Sequence, residues 1–318
     1  MKPMTAWALT TGEAGMRAQA RGLAEAVADV VVEKTIAGGV VWPWTLGVGR
    51  GQLSPPWPDI VISCGRRSAA RAIAIRKVGG GHVVAVHVQD PRGRADAFDL
   101  VIAMEHDRIA GDHVIKVATA LHDLTPTKLE SAGRGWADRF ARLGQPLTGV
   151  VLGGDLKGRP FTLADGQKLL DGMIRLKTAT GCGLAITPSR RTPAAVRDLF
   201  AAAFANDPRV FQWDLAGDNP YRAILALSDR LVVTSDSVSM VSEALSAPHP
   251  VEVFDLSFPR HIGFIQGLAD RGLIRRFDGD PAVPKTTGPV NATDEAARAV
   301  RALLQTRLLS QARIGVSG

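Results

Sequence analysis

The run Thr234-Ser235-Asp236-Ser237-Val238-Ser239-Met240-Val241-Ser242-Glu243-Ala244 sets small hydroxyl residues after an apolar stretch, Leu231-Val232-Val233. A segment of helical spacing follows and ends near Ser246. Where a strand hands over to a helix, the first backbone N–H groups are unpaired and the positive end of the helix dipole lies beside them. Phosphate is the usual guest at such a junction. Glu243, about two turns into the helix, can accept hydrogen bonds from the vicinal hydroxyls of a sugar. Ser and Asp are also favoured helix caps, so the run alone reads equally as a capped core helix. Its neighbours tip it toward a ligand.

Other strand ends carry related chemistry. Val150-Val151-Leu152 runs into Gly153-Gly154-Asp155, a pair of glycines that lets a diphosphate or sugar approach the backbone, or simply makes a turn. Ile186-Thr187 leads to Pro188-Ser189-Arg190-Arg191-Thr192-Pro193, with Pro193 suited to a helix's first turn and Ser189, Arg190 and Arg191 suited to an anion. Phe211-Gln212-Trp213-Asp214 and Asp218-Asn219-Pro220-Tyr221 follow the next strand; Asn219 is a polar contact, and Trp213 or Tyr221 either flanks a base or packs in the core, the latter favoured.

In the first half, Thr10-Thr11-Gly12-Glu13-Ala14-Gly15 follows the first strand. Gly12 and Gly15 admit a ligand to the backbone, and Glu13 is either a general base or a solvated charge. Ser63-Cys64-Gly65-Arg66-Arg67-Ser68 opens a helix. Arg66 and Arg67 oppose that helix's dipole, a small cost that a bound anion removes. His87-Val88-Gln89-Asp90 and Met104-Glu105-His106-Asp107 end two further strands; His87 and His106, with the nearby carboxylates Asp90 and Glu105, are candidates for acid/base work or metal binding. Neither GxGxxG nor GxxxxGK[ST] occurs, and no HxxxH or HExxH spacing supports a metal. His82, His113, His122, His249 and His261 have no informative spacing.

The elements that must hold these loops alternate in type. Short runs rich in Val and Ile read as strands at 6–10, 30–36, 59–63, 83–88, 100–103 and 114–117, and again at 148–152, 183–187, 210–213, 231–234 and 251–254. Helical spacing covers 15–28, 68–77, 126–143, 163–178, 193–205, 220–227, 238–245 and 261–271. Such alternation predicts βαβ units and parallel sheets. The expected class is α/β, with two Rossmann-like domains whose sheets face across a cleft. The first covers 1–144 and takes the acceptor; the second covers 147–292 and takes a nucleotide-sugar, with Leu143-Gly144-Gln145-Pro146 as linker. An amphipathic segment at 294–309, within a final 293–318 portion, can cross back to the first domain. Pro-rich turns around Trp42-Pro43-Trp44 and Ser54-Pro55-Pro56-Trp57-Pro58 bracket a loop expected to pack on the first domain.

Composition sets limits. The 318 residues suit about two domains, and 46% hydrophobic with 22% charged residues is ordinary for a globular protein. No apolar run reaches the roughly 20 residues of a membrane span, and Cys64 and Cys182 make no metal or disulfide pattern. A cytoplasmic setting is expected, peripheral at the inner membrane. The net charge of +7 favours phosphorylated partners or an anionic membrane surface. Nucleic acid is not expected, since aromatic residues are only 5% and no recognition motif is present.

Taken together, the blocks at 63–68, 87–92, 105–107, 189–193, 219–221 and 234–243 resemble those of the bacterial ELM1-like proteins, a family named after a plant mitochondrial fission factor. The resemblance extends from about residue 5 to 280. It implies a glycosyltransferase-B-like architecture, in which the C-terminal domain holds the nucleotide-sugar on a Ser/Gly-rich turn with a Glu near the ribose. Ser235, Ser237 and Ser239 match the turn and Glu243 the carboxylate; Asp236 and Met240 lie within it. Thr11, Glu13 and Met16 depart from the family's first loop, where Asp, Lys and His are common, which weakens any catalytic role there.

The leading expectation is a glycosyltransferase that uses a nucleoside-diphosphate-sugar and no cofactor, with a lipid-linked or phosphorylated acceptor of the cell envelope. A nucleoside-diphosphate-sugar 2-epimerase is the alternative enzyme. A non-catalytic nucleotide-sugar-binding or recruiting protein is the third reading.

Overall fold

β-branched runs and Ala/Leu/Arg stretches alternate through the chain, and the computed structural model shows the elements that result. It describes residues 2–36, 48, 51–285 and 288–315, without the side chains of 308 and 310–315. The first half contains β1 (Thr5–Thr10), α1 (Ala14–Val27), β2 (Val30–Thr35), β3 (Ile60–Cys64), α2 (Arg66–Val78), β4 (Val84–Val88), β5 (Leu100–Met104) and β6 (Val114–Val117). Then come α3 (Pro126–Ala141), β7 (Leu147–Leu152), α4 (Leu163–Thr180), β8 (Gly183–Pro188), α5 (Ala194–Ala203), β9 (Val210–Gln212) and α6 (Tyr221–Leu227). β10 (Arg230–Thr234), α7 (Val238–Leu245), β11 (Val251–Phe254), α8 (Ile262–Asp270), β12 (Arg275–Arg276) and α9 (Ala292–Gly315) complete the order.

The chain forms two compact units, one of residues 1–123 with 291–318 and one of 124–290. Each is built on a six-stranded parallel sheet, in the orders β2-β1-β3-β4-β5-β6 and β12-β11-β10-β7-β8-β9. The α/β class with Rossmann-like sheets is therefore as expected. Element limits follow the apolar periodicity closely, except that the short β12 has no counterpart in it and α9 runs on past 309. Trp42-Pro43-Trp44 lies outside the described residues.

In the first unit, strand alternation feeds two cores. Ala6 and Ala8 of β1 and Ile60 and Ile62 of β3 join Leu23 of α1 and Ala296, Ala297 and Val300 of α9. Trp7, Leu9 and Val61 point the other way, onto Ala69, Ala72 and Ile75 of α2. α9 is held at its start by Thr293, whose hydroxyl accepts from the His122 amide and donates to the His122 carbonyl, both at 2.9 Å. Further along it Arg307 pairs with Asp99, which Arg76 also grips at 2.7 Å.

The unit boundary differs from the expected linker at 143–146: it falls between Asp123 and Leu124. The reason lies in α3. Its Trp136 and Phe140 rings pack on Phe211 of β9 at 5.6 and 5.7 Å between centroids, and Leu129, Gly133 and Phe140 are buried. Burying large aromatic surface there ties α3 to the second sheet. In that unit Leu152, Phe161, Leu169, Leu184, Phe200 and Val232 form the core.

Candidate functional site

A sheet that reverses its strand order opens a crevice at the carboxyl ends of the two strands flanking the reversal. In the second unit those strands are β7 and β10. The loops leaving them are Gly153-Gly154 and Ser235-Asp236-Ser237, so the topology brings the two runs together.

They meet in a closed internal network. The Thr234 hydroxyl donates to Asp236 Oδ1 at 2.6 Å and accepts from the Gly153 amide at 2.7 Å. The Gly154 amide and the Arg191 guanidinium donate to Asp236 Oδ2 at 2.8 and 3.2 Å. A Cβ on Gly153 would overlap the Asp236 carboxylate, and one on Gly154 would overlap the Arg191 backbone. Read from sequence as an approach for a diphosphate, the glycines are instead filled by the protein itself. Asp236 is 1% exposed, and burial pushes its carboxyl above the usual range against the pull of Thr234, Gly154 and Arg191.

Ser235 also turns inward, against the sequence expectation. Its hydroxyl donates to Asp255 at 3.2 Å and accepts from the Leu256 amide at 2.8 Å, its amide donates to the Phe254 carbonyl, and it is 1% exposed. Ser237 is the N-cap of α7, accepting from the Met240 amide at 3.3 Å. Ser239 is half-buried on the first turn. Main-chain amides at Ser235 and Met240 are thus committed internally, and the first turn of α7 beyond the cap is half-buried, with Val238 and Ser239 leading it.

The open space lies alongside. A cavity of about 420 Å³ sits over the ends of β7 and β8, floored by Val151, Leu152, Thr187 and Pro188. Ser189, Arg190, Asn219, Tyr221, Met240 and Glu243 line it, all of them residues that the sequence points to. The Tyr221 hydroxyl donates to Glu243 at 2.5 Å. Burial, and then the Glu243 charge, hold the phenol well above its ordinary value, so it stays a donor. Asn219 uses Oδ1 to accept from the Tyr221 amide at 2.9 Å, a turn just ahead of α6. Arg191 is committed to Asp236 and to the Asp155 carbonyl at 2.9 Å. Arg190 is exposed, and among the described residues no carboxylate pairs with it. The cavity therefore offers a carboxylate, a phenol, an amide and an unpaired guanidinium.

Trp213, Leu215 and Gly217 complete its wall. The Trp213 indole donates to the Ala216 carbonyl at 2.7 Å, and Leu215 and Gly217 adopt positive φ of 71° and 65°. The sequence favours core packing for Trp213, but the ring is half-buried and faces the cavity. The signal for this is the turn-forming Asp-Leu-Ala-Gly-Asp that follows it.

In the first unit the order reverses between β1 and β3, which places the Gly12–Glu13 loop beside Gly65-Arg66-Arg67. Glu13 accepts from the Thr11 hydroxyl at 2.5 Å; that bond first, its own backbone amide next and then the Arg67 charge lower its carboxyl. Gly12 and Glu13 are exposed, and Gly15 lies in the first turn of α1. Arg66 and Arg67 are exposed on the first turn of α2, after Gly65 at φ 86°. Asp90 sits past β4, accepting from the Arg92 amide at 2.7 Å, while Glu105 and His106 are exposed past β5. The topology thus gathers Glu13 with Arg66 and Arg67 and leaves Glu105 and His106 on strands further out. His87, on β4, is fully buried: Nδ1 is 2.8 Å from Ser63 Oγ, Nε2 has no hydrogen-bond partner, and burial pulls its pKa down to about 4. That excludes it as a solvent-accessible base. Among the described residues no three His, Cys, Asp or Glu side chains converge as a metal site, and no helix is long and apolar enough to cross a membrane.

Two six-stranded parallel sheets flanked by helices define a glycosyltransferase-B-like α/β protein. The chain belongs to the family described as mitochondrial fission ELM1, whose model matches residues 14–304. It is 32% identical over 277 residues to the mitochondrial fission protein ELM1 of Arabidopsis thaliana; the match covers 79% of this chain and 65% of that protein, less than two thirds of its length. Among solved structures, it is similar to a Listeria monocytogenes protein provisionally assigned as a UDP-N-acetylglucosamine 2-epimerase (TM-score 0.63, 12% identical, covering 96% of this chain and 97% of that one). It is also similar to the UDP-GlcNAc 2-epimerase of Neisseria meningitidis bound to UDP-GlcNAc (TM-score 0.53, 12% identical, 95% and 100% covered). At such identities the likeness is one of fold.

Proposed function

We propose that the second unit binds a nucleoside-diphosphate-sugar and that the protein is a glycosyltransferase. The observation that carries this reading is the cavity that joins Glu243 and Tyr221 to Arg190 and Asn219 at the ends of β7 and β8. Glu243, oriented by the Tyr221 hydroxyl, accepts from the ribose hydroxyls. Arg190 meets the diphosphate as a charge-assisted donor, and the half-buried turn at Val238 and Ser239 adds the dipole of α7. Trp213 gives the base a flat apolar face.

In transfer, the bond from the sugar's anomeric carbon to the diphosphate oxygen breaks and the nucleoside diphosphate leaves with the electron pair. Arg190 stabilises the charge as it develops. The acceptor hydroxyl bonds to the anomeric carbon and gives its proton to a general base. Glu13, Asp90, Glu105 and His106 are the candidates for that base. The charge of +7 supports a phosphorylated or lipid-linked acceptor, met by a cytoplasmic protein at an anionic membrane face.

A 2-epimerase is the second reading, supported by the fold shared with the Neisseria 2-epimerase, which was solved bound to UDP-GlcNAc. Incubation with UDP-GlcNAc and no acceptor separates the two, since an epimer forms only in the second. A thermal-shift panel of UDP-, GDP-, ADP- and CMP-sugars tests the shared premise. At least one must raise the melting temperature, and silence across all four ends both enzymatic readings and the recruiting one.

A further inference from the structure

A second cavity of about 420 Å³ lies on the other side of the 213–218 loop, within the second unit. Trp136 and Arg139 of α3 form one wall; Trp213, Asp214 and Asp218 form the other. The two cavities share Trp213 and Gly217.

Its charges are not neutralised. The Arg139 guanidinium stacks over the Phe211 and Trp136 rings, 4.3 and 5.1 Å from their centroids. Such stacking holds the planar group in place while leaving its N–H edge available. Among the described residues no carboxylate or other acceptor meets it, although two aspartates line the same cavity. Asp214 spends Oδ1 on the Ala216 amide at 3.0 Å, and no donor among the described residues reaches Asp218. Arg139, Asp214 and Asp218 are all exposed, so the cavity presents both donors and acceptors at the surface.

We infer that this cavity is a carbohydrate-binding subsite for a neutral sugar. Sugar hydroxyls donate to Asp214 and Asp218 and accept from Arg139, whose N–H edge is held in place by its stacking on Phe211 and Trp136. The size lies in the range of small-ligand sites. The inference is independent of the nucleotide reading and goes beyond it, since the sugar here need not be the donor's.

The test is saturation-transfer NMR on the full chain with free hexoses, N-acetylhexosamines and glycine, and with UDP as reporter of the first cavity. At least one sugar receives saturation from the wild type, and Asp218→Asn and Trp136→Ala each weaken it about tenfold, with Glu243→Ala leaving it unchanged. Asp218 is exposed, so its variant carries the test if Trp136→Ala unfolds. The inference is overturned if no sugar responds, if glycine binds in place of sugar, or if the response survives Asp218→Asn and disappears with Glu243→Ala. Failure of UDP to bind while a sugar does leaves this inference standing, and the nucleotide reading then rests on the GDP, ADP and CMP arms of the thermal-shift panel.

Discussion

The two sheets reverse strand order in the same way, yet what stands at each reversal differs. In the second unit the crossing is filled from within: Asp236 occupies the space beside Gly153, the Arg191 backbone that beside Gly154, and the cavity opens to one side, over β7 and β8. In the first unit the loops at the crossing carry charges that face solvent, Glu13, Arg66 and Arg67, while the buried polar group, His87, sits one strand away with an unpartnered Nε2. One region has settled its polar groups against one another; the other keeps them exposed. The proposed function assigns ligand binding to the second unit and leaves proton transfer to the charged groups of the first.

The sharpest way to break this contrast is Gly154→Ala. The new methyl meets backbone at Arg191 and Thr192, which cannot swing aside as a side chain does. Unfolding by urea should show a loss of roughly 3 kcal/mol. A variant as stable as the wild type means the crossing is loose.

Next in size is the pH dependence set by His87. It is buried neutral with a folded pKa of about 4, against about 6.5 for an unfolded histidine. In that window the unfolded chain binds the extra proton, so its contribution is complete above pH 6.5 and is lost as pH falls toward 4. The loss amounts to about 3 kcal/mol. Urea midpoints across this range should fall steeply for the wild type and less steeply for His87→Gln.

Ligand effects are smaller. Glu243→Gln removes the carboxylate proposed to meet the ribose hydroxyls, and affinity for a nucleoside-diphosphate-sugar should fall by about 1.5–3 kcal/mol in calorimetry. Arg190→Ala should cost about 1 kcal/mol and flatten the salt dependence of binding, because its guanidinium is exposed and screened. Equal loss from Arg191→Ala and Arg190→Ala would erase the distinction between the committed arginine and the unpaired one.

The fold was legible because apolar periodicity at short range decides it. Ala6/Ala8 against Trp7/Leu9 already encodes a strand buried on both faces, and the apolar spacing marks β11 and α7 to the residue. The attachment of α3 was not legible: contact between Trp136, Phe140 and Phe211 spans some seventy positions, and no local pattern reports it. At the candidate site, which residues share a space was more legible than which way they face. Ser189, Arg190, Asn219, Tyr221, Met240 and Glu243 do share a cavity, whereas Ser235 and Asp236 face inward. Hydroxyl and carboxylate side chains satisfy a buried turn with the same chemistry that would greet a phosphate, so composition cannot separate the two. Only the partners do: Asp255 and Leu256 for Ser235, Thr234 and Gly154 for Asp236.

Calorimetric titration with a nucleoside-diphosphate-sugar, run in parallel on the wild type, Glu243→Ala and Glu13→Gln, bears most directly on the division of labour between the units. The account predicts saturable binding by the wild type, affinity lowered at least tenfold in Glu243→Ala, and affinity retained in Glu13→Gln. Binding that tolerates loss of Glu243 but not of Glu13 would contradict it.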